Sequence, residues 1–103
     1  MWAQLIKTHT KPGMQDAVSA LMQDLDAAEP PGSGLVRSLA MQDQNDPSQV
    51  YMLVVFQSEE IARVREQDPA RAEALAAMRA KMMDVFEGEP EFVDLTVLRE
   101  LAP

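Results

Sequence analysis

The run VYMLVVF, Val50 to Phe56, constrains this chain more than any other stretch. Successive side chains of a strand point to opposite faces, so this run is apolar on both. A strand of that kind is covered on both sides and lies centrally in its sheet. It is far too short to cross a bilayer. The remaining segments must supply its neighbours.

Leu35 to Met41 alternates, with Leu35, Arg37, Leu39 and Met41 against Val36, Ser38 and Ala40. This is a strand nearer the sheet edge. The polar stretch Asp43-Gln44-Asn45-Asp46-Pro47-Ser48 joins it to the central strand as a hairpin. Trp2 to Thr10 reads as a first strand, ended by Lys11-Pro12-Gly13, where proline lacks a donor and glycine permits a turn. From Met14 the period becomes helical, through Ala17, Val18, Leu21, Leu25 and Ala28, until Pro30-Pro31. Ser58 followed by Glu59 and Glu60 caps a short helix over 59–66. Asp68-Pro69 starts another, with Leu75, Met78, Met82 and Phe86 as its stripe and Gly88 and Pro90 as its end. Glu87, Glu89 and Glu91 then read as a solvated turn. Phe92 to Leu101 alternates as the last strand.

The order β-α-β-β-α-β predicts an α+β, ferredoxin-like fold with an antiparallel sheet and helices on one face. At 103 residues the chain reads as one domain spanning 1–103. The helices leave the second sheet face bare, although Val50–Phe56 and the last strand make it apolar. A bare apolar face of that extent points to a homodimer joined sheet to sheet.

A net charge of −8 without a basic cluster argues against nucleic acid and anionic membranes as partners. No cysteine is present, so disulfide and thiolate chemistry are absent. The start, MWAQLIKTHT, has neither a basic leader nor a long apolar core, and the chain reads as soluble and cytoplasmic. Eight methionines suit irregular core space or a plastic pocket. With one histidine, metal binding has no basis in the sequence. Asp43–Asp46 starts like a calcium loop but has Ser48 where glycine is needed and Val54 where glutamate is needed.

Four features carry a family resemblance: the first strand running into KPGM (Lys11 to Met14), PGSGL (Pro31 to Leu35), VVFQSEE (Val54 to Glu60), and the restart at Asp68-Pro69. With these the chain resembles the antibiotic biosynthesis monooxygenase family of dimeric α+β barrels. The resemblance implies a ligand pocket between the sheet and its helices. It also implies activity on an aromatic or quinol-type small molecule without metal, haem or flavin. The family's haem-degrading branch uses an asparagine, a tryptophan and a histidine. The matching positions fall near Ile6 and Val64 and on a helix, Pro69–Phe86, without histidine. That branch is therefore not matched. A second reading is a non-catalytic dimer that binds a small apolar ligand or has a stress-related role, and a third is assembly alone.

His9 is the only histidine and the one candidate base. If Ile6 faces the pocket, then Trp2, Gln4 and Thr8 share that face, and His9 points to the dimer side. Tyr51 offers the only phenol, able to hydrogen-bond a substrate oxygen. Arg63, and with it Arg65 and Arg37, could stabilise an enolate or phenolate. Against each stands the plainer reading of core packing or a solvated face.

Overall fold

The computed structural model describes residues 1–103. Seven elements follow one another: β1 (Trp2–Thr10), α1 (Ala17–Ala27), β2 (Leu35–Gln42), β3 (Gln49–Phe56), α2 (Glu59–Glu66), α3 (Pro69–Val85) and β4 (Phe86–Thr96). The four strands form one sheet in the order β2-β3-β1-β4. All three adjacent pairs are antiparallel. β3 is thus inserted between β1 and β2, the split β-α-β arrangement, and β2 lies at an edge as its alternation predicts.

Local chemistry fixes several boundaries. The Ser58 hydroxyl accepts from the Ile61 N–H at 3.2 Å, and Glu59 and Glu60 follow in the first turn of α2. Asp68 accepts from the Ala70 N–H at 2.9 Å ahead of Pro69, so α3 begins where the sequence predicts. α1 begins at Ala17 rather than Met14, because Met14 to Asp16 form turns. Asp16 stands at its cap without making a side-chain capping bond.

The chain's last third differs from expectation. Gly88 and Pro90 do not end the preceding helix; they lie inside β4, which starts directly after Val85. Opposite β1, Lys7 pairs with Glu91 and His9 with Glu87, so β4 holds two extra residues there. Gly88 takes a φ of 72° within this bulge, a region open to glycine. Pro90 is tolerated because β4 is an edge strand. Regular pairing ends at Thr96, and Leu98 and Leu101 lie exposed beyond it rather than in a strand.

The central cluster is Trp2 from β1, Phe56 from β3 and Ala62 from α2, flanked by Leu35 and Val54. Gly34, with φ 83°, lets α2 approach closely: a Cβ there would overlap the Ile61 side chain. Only 11 of 103 residues are buried, a small core that leaves much apolar surface unspent.

Candidate functional site

Helices lie over one sheet face without filling the space between. A cavity of about 730 Å³ remains there. Period-two alternation decides which residues reach it. β1 contributes Trp2, Gln4, Ile6 and Thr8, and β3 contributes Met52, Val54 and Phe56. Leu35 and Ser38 come from β2 and Phe92 from β4. The helices close it with Met22 and Leu25, Ala62 and Arg65, and Leu75 and Met82. The walls are mostly apolar. Methionines 22, 52, 82 and 83 are among them, side chains that adapt to varied ligand shapes.

Two polar groups on β1 have fixed roles. The Thr8 hydroxyl donates to the Val50 carbonyl at 3.0 Å, leaving its oxygen as an acceptor only. The Gln4 amide donates to Asp94 at 3.0 Å, so its carbonyl oxygen remains open. Asp94 also accepts from Arg63 at 2.9 Å. Its carboxyl is held below the usual range, first by the Gln4 bond and then by Arg63.

Arg63 stands outside the cavity. Its guanidinium lies 4.9 Å from the Trp2 ring centroid and binds Glu59 and Glu66 as well as Asp94. The Asp94 bond first, with Glu59 and Glu66, pushes its pKa up. Two residues along α2, Arg65 does line the cavity, 5.0 Å from the Phe56 centroid. It grips Glu29 with both nitrogens of a fork, one contact at 2.8 Å. That hydrogen bond dominates Glu29, whose pKa is lowered despite an opposing burial effect.

Of the residues singled out from the sequence, Trp2, Gln4 and Thr8 come together on the cavity wall. Tyr51 does not. Its neighbours Val50 and Met52 share the opposite face, and Tyr51 pairs across the sheet with Lys7 and Met41 on the side away from the helices. Arg37, opposite Val55, is on that side too. His9 is exposed, paired in register with Gln49 and Glu87, and is not a lining residue. Arg63 is displaced from the site by the helical turn that brings Arg65 into it.

Sequence reasoning missed Arg71, Arg79, Lys11 and Glu29, all on the cavity wall. A signal for Arg71 existed: it is four residues before Leu75, which is itself seven before Met82, one face of a helix.

A four-stranded antiparallel sheet with helices on one face, roofing an apolar cavity, defines the class as a ferredoxin-like α+β fold. Within that class the chain has the fold of the antibiotic biosynthesis monooxygenases. An antibiotic biosynthesis monooxygenase structure aligns with a TM-score of 0.68 and 14% identity, over 96% of this chain and all of the other. SnoaB, a cofactor-independent oxygenase from Streptomyces nogalater, aligns at 0.72 and 15% identity, covering 99% of this chain and 98% of that one. A protein of unknown function from Nitrosomonas europaea, NE2512, aligns at 0.73 and 20% identity, over 99% and 93%. No family profile and no curated protein matches the sequence.

Proposed function

We propose that this chain is a small oxygenase of the cofactor-independent kind, acting on an aromatic or quinol-type molecule held between sheet and helices. The observation that carries this reading is the 730 Å³ apolar cavity in a fold shared with a cofactor-independent oxygenase. In such chemistry the substrate is its own reductant. An activated CH2 group loses a proton, and the resulting anion passes an electron to O2. The radical pair joins as a peroxide, which loses water to leave a carbonyl. The sum is CH2 + O2 → C=O + H2O. The protein excludes bulk water, orients the ring, and lowers the cost of the anion through positive charge at the wall. Trp2 and Phe56 would pack on the ring system, and the Gln4 carbonyl would accept from a substrate hydroxyl.

A second copy of the chain completes the molecule in this reading. The sheet face turned from the helices carries Leu39, Met41, Leu53 and Leu95, of which Leu39 is 42% and Met41 41% exposed. Sheet-to-sheet association would cover them.

Oxygen uptake with a panel of anthrones and hydroquinones tests the activity. Turnover that disappears in Ile6→Trp, which fills the cavity, is the expected result. Saturable binding with no oxygen consumed supports the second reading, a non-catalytic binding module. That alternative has an observation in its favour: neither His9 nor Tyr51 reaches the cavity.

A further inference from the structure

Four cationic side chains touch the cavity: Lys11, Arg65, Arg71 and Arg79. Their situations differ. Arg65 is neutralised by Glu29 at close range. Arg71, near the start of α3, is half-buried and takes part in no ion pair and no side-chain hydrogen bond. Its surroundings do not favour its charge. Burial first, and then the like charge of Arg65, hold its pKa below the ordinary arginine value, while Glu29 and Glu66 act only from a distance. A guanidinium is all donors, and withdrawing it from water without acceptors is costly. The chain has 17 acidic residues against nine basic ones. With acids so plentiful, a half-buried arginine left without one is a vacancy for an acceptor from outside.

We propose that Arg71 anchors the anionic group of an amphipathic ligand, a carboxylate or sulfonate borne on an apolar ring system that lies against Ile6, Met52, Leu75 and Met82. This names the ligand class for the cavity and rests on the cavity's being the ligand site. A planar guanidinium takes such a group through two parallel hydrogen bonds, stronger than neutral ones. The apolar body gains its affinity from the methionine-rich wall. The ligand is thus selected against the field of an acidic protein by the one wall cation that is both half-buried and unpaired, Lys11 and Arg79 being exposed to water.

Two fluorescent probes share one skeleton: 8-anilinonaphthalene-1-sulfonate carries the anion and N-phenyl-1-naphthylamine does not. The sulfonate should bind the wild-type protein at least about tenfold more tightly. Arg71→Met should erase that preference while moving the neutral probe's affinity less than about twofold, and Arg99→Gln, outside the cavity, should change neither. Rising salt should weaken only the sulfonate in the wild-type protein, a reading that does not depend on any variant folding. Equal losses for both probes in a folded Arg71→Met, or sulfonate binding insensitive to the variant and to salt, overturns the proposal. Saturable binding of the neutral probe without sulfonate preference overturns the anion assignment and leaves the cavity reading standing. Failure of both probes to bind overturns both.

Discussion

On β3, Met52, Val54 and Phe56 turn toward the helices, whereas Tyr51, Leu53 and Val55 turn away. The residue types on the two sides are nearly interchangeable. What separates them is what lies opposite. Three helices stand over the first set at a distance that leaves a cavity. No helix of this chain lies over the second, of which only Val55 is buried. One strand therefore supplies both a cavity wall and an open apolar face, and the assignment of each β1 and β3 residue to one or the other follows from a single parity, which the register shifts in β2 and β4 interrupt.

That parity can be broken most severely at the centre of the bare face. Leu53→Glu places a charge where a partner sheet would pack. Sedimentation velocity should show a dimer for the wild type and a monomer for the variant, with the dissociation constant raised by about 100-fold or more, while the neutral naphthylamine still binds. An unchanged sedimentation coefficient would remove this face as the interface. Next in size is Gly34→Ala, on the helix side. The added methyl meets Ile61, and the backbone φ of 83° disfavours it independently. A loss of about 2–4 kcal/mol in urea denaturation is expected, partly recovered when Ile61→Ala is combined with it.

A smaller effect belongs to Glu29 at the cavity wall. Its folded pKa lies below the ordinary 4.5, so the unfolded chain takes up the proton first as pH falls. Its stabilising contribution is complete well above that value and is lost as pH drops through the lower, folded one. After solvent screening it amounts to about 0.5–1 kcal/mol. Glu29→Gln should remove that amount at neutral pH and flatten the acid limb of the stability curve, leaving stability near pH 3 almost unchanged. A variant with the wild-type acid limb would mean that other carboxylates govern it. The least effect is expected from His9→Gln, whose binding and turnover should stay within about twofold of wild type. If it abolished turnover while the dimer persisted, the assignment of faces on β1 would be wrong.

Much of this was legible in the chain. β1 and α2 have the limits that Pro12, Ser58 and Glu66 imply, because caps and strand-ending turns act locally. The central place of β3 followed from its being apolar on both faces. That Trp2, Gln4 and Thr8 share a face followed from a period of two, and which face it is came from placing Ile6 on the pocket side. Three things were hidden. Gly88 and Pro90 signal a break equally well at a helix end or in a bulged edge strand, and only pairing with β1 distinguishes these. Arg63 and Arg65 share a short helix, and which of them meets the Trp2 ring and which the cavity depends on how α2 packs on the sheet, with Ala62 buried against Trp2 and Phe56. Arg71 resembled any solvated helix charge, since its lack of a partner is a property of three dimensions.

The bulge in β4 has a bearing on how the protein behaves in a crowded cell. A free sheet edge is a template on which further strands can be laid, and a long flat one seeds fibrils. Between Glu87 and Glu91 this edge offers three carboxylates, a proline without a donor and a glycine-centred kink. An incoming strand there would meet repulsion, a missing hydrogen bond and a bend. The stretch that combines Gly88, Pro90 and three glutamates thus disfavours strand addition at this edge, on a molecule whose other sheet face is apolar.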